Sequence, residues 1–278
     1  MKVTQLWTYP VKSCAGIESS SARITSAGAV FDREWMVTDT SGQFLTGRVH
    51  PKLVLVRAVP TISGLSLHAP GMPELVVRRV LYNRLRQTGV WACRFDAWWG
   101  DQTADEWFSR YLGIATRLLY IGANSCRALR ADPSIRFSFA DGYPFLLIGE
   151  ASLADLNRRL DNPVSMRNFR PNIVVNGADA FAEDQWKRIR IGAVEFEHMK
   201  PCDRCVFTTI DPDSAQPSAD LQPLRTLSAY RRTAGGVMFG QNLVARGTGV
   251  IRVGDQVKVI EARDQEIALP KGRTGGIL

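Results

Sequence analysis

His198-Met199-Lys200-Pro201-Cys202-Asp203-Arg204-Cys205-Val206-Phe207-Thr208-Thr209-Ile210-Asp211 is the stretch on which the reading of this chain turns. Two cysteines flank an acid and a base, and a run of β-formers follows at once. A thiolate is a strong ligand for soft metals, and an adjacent guanidinium favours the thiolate form. Four readings compete: a zinc clip, a redox dithiol, a single metal ligand, and structural thiols. A structural zinc site needs four ligands, usually with a second pair at short spacing. Cys14, Cys93 and Cys126 stand alone, and only His198 lies near. A thioredoxin-like couple needs its first cysteine at a helix N-terminus, whereas Cys205 to Ile210 favours a strand. A single metal-binding thiolate and plain buried thiols stay open.

Composition narrows the classes. A chain of 278 residues with 45% hydrophobic and 22% charged residues is ordinary for a globular protein, of one large or two modest domains. The net charge of +8 fits an anionic partner or a solvated basic surface. No basic run is interleaved with aromatics, so no nucleic-acid partner is expected. Five scattered cysteines do not make a disulfide scaffold and fit a reducing compartment. The N-terminus lacks an apolar leader and no run of 18 apolar residues occurs. A cytoplasmic location without membrane contact is therefore expected.

Along the chain, β-branched and aromatic runs alternate with turn chemistry. Val3 to Trp7, Glu34 to Thr38, Leu53 to Val56 and Leu75 to Val77 read as strands of a barrel or sandwich-like half. A helix capped by Thr103 carries Trp107, Phe108, Tyr111 and Leu112 on one face and stops at Gly113, and Thr116 to Ile121 follows as a strand. Residues 123 to 142 are polar, and the domain junction is placed at their start. Pro144 to Ile148 reads as a buried strand and Glu150 to Leu160 as a helix. Further strands are expected at 172–175, 188–197, 205–210, 242–245 and 256–260, with a short helix opened by Pro223. The sequence thus predicts an α+β, strand-rich chain divided into residues 1–122 and 123–262, with a flexible tail at 263–278. Neither Gly-x-Gly-x-x-Gly nor a P-loop is present.

Several turns gather cations and amides. Tyr9-Pro10-Val11-Lys12-Ser13-Cys14 offers an ammonium, a hydroxyl and backbone N–H groups to an anion. Asp32-Arg33 opens a strand, and Asn168-Phe169-Arg170-Pro171-Asn172 puts an arginine and two amides just before one. In Phe239-Gly240-Gln241-Asn242 a glycine allows close backbone approach.

Taken with Pro201-Cys202-Asp203-Arg204-Cys205 and Gly249-Val250-Ile251-Arg252-Val253-Gly254-Asp255, these motifs stand in an order that resembles MOSC-domain proteins of the mitochondrial amidoxime reducing component type. The likeness is strongest to bacterial relatives that reduce N-hydroxylated bases, and it runs from Val3 to about Ile260. It implies a β-rich N-terminal MOSC-associated domain followed by a MOSC β-barrel, with molybdenum cofactor (Mo-molybdopterin) between them. It makes Cys205 the molybdenum ligand and catalytic residue. Lys12, Ser13, Arg33, Arg170, Asn172, Asp203, Arg204 and Asn242 fall on cofactor-binding positions. The implied activity is reduction of hydroxylamine-type bases and amidoximes, molybdenum accepting the substrate oxygen; the alternative is a non-catalytic cofactor carrier or sulfur-transfer protein. The chain departs from the family pattern at Asp203, where some members have Ser, and at Asn242, where animal members have Tyr. It departs again at Gly142-Tyr143, where a Thr-Ser pair is expected. No Cys-x₄-Cys-x₂-Cys spacing for a plant-type iron–sulfur cluster occurs, so a separate flavin or iron–sulfur protein is expected to supply electrons.

Overall fold

Phe145-Leu146-Leu147-Ile148 is apolar without alternation, as expected of a strand buried on both faces. The computed structural model, which describes residues 1–122, 125 and 127–263, places it at the centre of a nine-stranded sheet. The order across that sheet is Ile17–Ser19, Lys2–Thr8, Ile173–Asn176, Phe145–Gly149, Gly236–Ala245, Val194–Arg204, Trp186–Ile191 and Val257–Ala262. The ninth strand, Arg232–Thr233, pairs beside Gly236–Ala245. One pair, Phe145–Gly149 with Ile173–Asn176, is parallel, and helix Glu150–Asn157 lies in the connection between its strands. Phe145, Leu147, Ile173 and Val175 face one core with Phe196 and Leu243. Leu146, Ile148 and Val174 face the other, with Phe169, Leu227 and Phe239. Burying each such side chain contributes about 1.5–3 kcal/mol.

The resemblance implies a closed barrel, and the described residues form none. The sheet curls until Lys2 and Gln256 make one isolated antiparallel bridge, with Val257 N–H donating to Met1 O at 3.0 Å, but no continuous ladder joins its two ends. The first residues of the chain thus pair inside the C-terminal sheet, and Ser21–Thr25 pairs with Gly249–Arg252. The rest of the N-terminal half has its own four-stranded sheet, ordered Trp35–Asp39, Thr116–Tyr120, Cys93–Trp99 and Arg84–Val90. Helix Gln102–Leu112 packs Ala104, Trp107 and Phe108 into the same core as Trp35 and Leu118.

Four local expectations are corrected. The cap of helix Gln102–Leu112 is Asp101, whose Oδ1 accepts from Thr103 N and Ala104 N; a carboxylate at the positive end of the helix outcompetes a hydroxyl one turn in. Gly113, at φ 75°, closes that helix as expected. Leu53 to Val56 is not a strand, because Pro51 opens a 3₁₀ turn over Pro51–Leu55. The run from 188 to 197 folds as a hairpin about Gly192, at φ 56°. Residues 205–210 are not a strand either, since the long Val194–Arg204 strand ends before Cys205 and a 3₁₀ turn, Val206–Thr209, follows. The Thr208 and Thr209 hydroxyls donate to Cys205 O at 2.9 Å and Val206 O at 2.8 Å. Such bonds to the carbonyl three residues back compete with a ladder and override β-propensity. Cys126 and residues 264–278, which hold most of the expected tail, lie outside the described residues.

Candidate functional site

A cavity of about 520 Å³ is lined by residues of both halves of the chain. Lys12, Ser13, Arg33, Arg170, Asn172, Asp203, Arg204, Cys205 and Asn242 all border it, so the nine residues expected from sequence come together in space. Six cations line it (Lys12, Arg33, Arg48, Arg170, Lys200 and Arg204) against two acids, Asp141 and Asp203. Such an excess of positive charge in a partly closed cleft draws in an anion.

Two of the lining cations, Arg33 and Arg170, pack on Tyr9, which does not itself border the cavity. The Arg33 and Arg170 guanidinium carbons lie 4.3 and 4.1 Å from its ring centroid, and its hydroxyl donates to Pro171 O at 3.0 Å. Burial pushes the Tyr9 phenol up to about 12, so it stays protonated. Burial, followed by the like charge of Arg33, pulls the Arg170 guanidinium down to about 10, still charged at neutral pH. Arg170 Nη1 donates to Cys14 O at 2.7 Å, and Arg33 Nη1 donates to Asp32 Oδ2 at 2.6 Å and to Asn172 Oδ1 at 3.0 Å.

Asn172 works behind this layer. Its side-chain N–H groups go to Trp7 O and Asp32 Oδ1, and its Oδ1 accepts from Arg33 and from Leu146 N–H. All four hydrogen-bonding valences of the amide are thus used by protein. Expected as a ligand contact, it is a positioning residue for Arg33.

Lys12 is also engaged. Its Nζ donates to Phe139 O at 2.9 Å and to Asp141 Oδ1 at 2.6 Å. Burial lowers its pKa although Asp141 opposes that shift. The surroundings of Asp141 resist ionisation, but the Lys12 charge and hydrogen bond, then the Trp91 indole and Arg33, hold its carboxyl at about 2. The pair is therefore ionic at neutral pH.

Cys205 is a free, half-buried thiol at the end of the Val194–Arg204 strand. Its neighbour Cys202 sits inside that strand and packs against the Phe169–Phe239 core, so it has no helix N-terminus to activate it. Cys202 Sγ accepts from Arg204 Nη1 at 2.9 Å, and Arg204 Nη2 also donates to Phe169 O. Arg204 Nε is buried without a partner in the protein. Among the described residues no group of three or more Cys, His, Asp or Glu could enclose a metal ion. A single thiolate ligand within a cationic pocket fits an anionic group that carries a soft metal. His198 is buried with both ring nitrogens unpartnered, and burial drops its pKa to about 3; it is a neutral core residue. Asp203 reaches Lys200 at 3.4 Å, and Asn242 Nδ2 donates to Pro201 O at 3.4 Å.

Sequence reasoning missed Arg48, Trp91, Asp141 and Lys200, which also line the cavity. A backbone signal finds one of them. Of eight non-glycine residues at positive φ among the described residues, four border this cavity: Ser13, Arg33, Trp91 and Arg170. Left-handed backbone at ordinary residues costs about 1–3 kcal/mol and gathers at functional sites.

Fold and cavity together define a MOSC protein, since residues 1–115 match the MOSC N-terminal beta barrel domain and residues 134–258 match the MOSC domain. Relatives sharpen this. Mitochondrial amidoxime-reducing component 1 of Homo sapiens is 35% identical over 93% of this chain and 82% of its own length. Mitochondrial amidoxime reducing component 2 of Bos taurus is 36% identical over 92% and 82%. Molybdenum cofactor sulfurase of Oryza sativa is 31% identical over 84% of this chain but only 31% of its own length. The chain belongs to the MOSC family of amidoxime-reducing components. The names of these relatives correct the expected location: relatives matched over most of both chains are named mitochondrial, which overturns the cytoplasmic expectation. No helix among the described residues is long and apolar enough to cross a membrane.

Proposed function

We propose that this chain is a molybdenum-cofactor-dependent reductase of N-hydroxylated compounds, taking hydroxylamine-type bases and amidoximes, with electrons drawn from a separate flavin or iron–sulfur protein. The observation that carries this reading is the free Cys205 thiol on the lining of a cavity with six cations and two acids. The family membership and the names of the relatives support it. The net change is R–NH–OH plus two electrons and two protons to R–NH₂ and water. When bound, the cofactor supplies the two-electron, oxygen-accepting chemistry. Cys205 holds the metal. Arg33, Arg170 and Arg204 neutralise the anionic pterin phosphate from the lining of the cavity. Ser13, Asp203 and Asn242 complete the lining, while Asn172 and Cys202 fix the guanidinium groups they touch. Asp141, held ionised at about 2, is not the proton source. The division into an N-terminal domain of residues 1–122 and a MOSC domain of residues 123–262 belongs to the same proposal.

The test is molybdenum content and reductase turnover in protein from a cofactor-competent host. Cys205→Ser is expected to lose at least a hundredfold in turnover with the fold intact. Cys202→Ser keeps a hydrogen-bond acceptor for Arg204 and is expected to lose less than tenfold. Equal losses sink the single-ligand idea, and zinc at one per chain without molybdenum sinks the cofactor. Full loading with no turnover under an artificial reductant selects the carrier reading that the sulfurase relative raises. Donor-driven turnover that ignores ionic strength argues against electrostatic docking of the donor.

A further inference from the structure

Resting on that reading of the cavity, we infer that Trp91 is its specificity-determining residue, a stacking platform that selects planar heteroaromatic N-hydroxylamines over small aliphatic ones. Trp91 stands at the tip of the hairpin formed by Arg84–Val90 and Cys93–Trp99. Its backbone is left-handed, at φ 55°, although tryptophan is a poor residue for that region. It is 45% exposed, the one exposed aromatic side chain among the described residues, and it lines the cavity that holds Cys205. A ring left in water at the tip of a turn would ordinarily be replaced by Asn or Gly at no cost to the hairpin.

The ring is held rather than loose. Its Nε1–H donates to Asp141 Oδ1 at 2.9 Å, the same oxygen that accepts from Lys12 at 2.6 Å. The Arg48 guanidinium carbon lies 4.4 Å from the ring centroid, and Phe44 meets the ring nearly perpendicularly, at 5.0 Å and 81°. The indole orientation is therefore fixed from three sides before any substrate arrives, which reduces the entropy lost on stacking. The cations that line the cavity suit an anionic cofactor, and the other aromatic residues on its lining (Tyr143, Phe145, Phe169 and Phe207) are less exposed than Trp91. The exposed indole offers a heterocycle a surface to lie on, because every heteroaromatic base offers a π-face to an aromatic side chain. Residues on the mouth that recognise only charge would not tell a hydroxylaminopyrimidine from acetamidoxime; Trp91 does.

The test compares kcat/KM for a hydroxylaminopyrimidine and for acetamidoxime in holoenzyme carrying Trp91→Ala or Trp91→Phe, with molybdenum measured in each. Trp91→Ala is expected to lower the aromatic-to-aliphatic ratio of kcat/KM at least tenfold, chiefly through KM for the aromatic substrate. Trp91→Phe keeps a π-face but loses the indole N–H, and is expected to recover most of that ratio. An unchanged ratio, or a ratio that fails to recover in Trp91→Phe, overturns the inference. So does loss of molybdenum in both variants, which would make the bond to Asp141 the function of the residue. Should the wild type reduce neither substrate, the reductase reading fails by itself. Equilibrium dialysis of the hydroxylaminopyrimidine against wild type and Trp91→Ala then decides the platform, and equal binding refutes it.

Discussion

Replacing Asn172 by Ala should cost far more than an ordinary surface change, and the amount follows from its bonds. Main chain and side chain of Asn172 tie two strands at once. Trp7 N–H donates to Asn172 O at 2.9 Å while Asn172 Nδ2 returns a bond to Trp7 O at 3.1 Å. On the other side, Asn172 N–H donates to Leu146 O at 2.8 Å and Leu146 N–H donates to Asn172 Oδ1 at 3.2 Å. The side-chain amide thus continues both ladders just before strand Ile173–Asn176 begins. Its removal leaves the buried Leu146 N–H and the Trp7 carbonyl unpaired, at about 1–3 kcal/mol for each group fully withdrawn from water. Asp32 and Arg33 each lose one bond, although they retain each other at 2.6 Å. The expected total is about 3–5 kcal/mol, out of about 5–15 kcal/mol for a folded domain. Urea denaturation followed by tryptophan fluorescence at pH 7 measures it. A second substitution sharpens the reasoning. Asn172→Asp keeps the shape but sets a carboxylate beside Asp32 Oδ1, 3.0 Å from the atom it replaces. Its penalty should therefore grow as pH rises from 4 to 7. A loss below about 1 kcal/mol for Asn172→Ala, with the m-value unchanged, refutes the four-bond account.

His198 makes stability fall on the acid side. Its folded pKa, about 3, lies below the ordinary 6.5 because burial disfavours the charged ring. The unfolded chain therefore takes up the proton first, and stability is lost progressively as pH drops from about 6.5 towards 3. The loss by pH 5 is about 2 kcal/mol. His198→Phe should flatten that part of the acid limb, as measured by urea midpoints at pH 7 and pH 5; an unchanged slope means the ring is not buried neutral. Gly240, at φ 81° within the Gly236–Ala245 strand, would place a Cβ 2.7 Å from Ile148 Cγ1 and 3.0 Å from Leu147 O. Gly240→Ala is expected to cost about 2–3 kcal/mol from backbone strain and overpacking, and a variant within 1 °C of wild type in thermal melting contradicts it.

The sequence was most legible where pattern and environment coincide. The unbroken apolar run at 145–148 announces burial on two faces, and turn residues carrying Lys12, Arg33 and Arg170 announce an anion pocket. The Cys-x-x-Cys stretch was legible as two thiols that form neither a helix-capped redox couple nor part of a ligand cluster, but the element expected after it was wrong. Thr208 and Thr209 count as β-formers by propensity, and only the structure shows their hydroxyls folding back onto Cys205 and Val206. Trp91 and Asp141 were invisible for another reason. They are 50 residues apart, and neither residue type in its own surroundings signals a partner. Asn172 was found for the wrong role, because an amide beside an arginine looks the same in sequence whether it faces a ligand or the backbone.

The left-handed residues connect these points. Ser13, Arg33, Trp91 and Arg170 each spend conformational energy, and each aims a side chain at the same cavity. Strain of this kind persists only where the surroundings over-determine it, and they do: Arg33 is held by Asp32 and Asn172, Arg170 by Cys14 O, and both pack on Tyr9. Two guanidinium groups on one ring also repel, which is why Arg33 adds to the lowering of the Arg170 pKa. An anion in the cavity that both of them line offsets that repulsion. The cavity thus holds its unfavourable charge in a fixed geometry before binding, and an anionic ligand meets cations already oriented, with little ordering left to oppose its affinity.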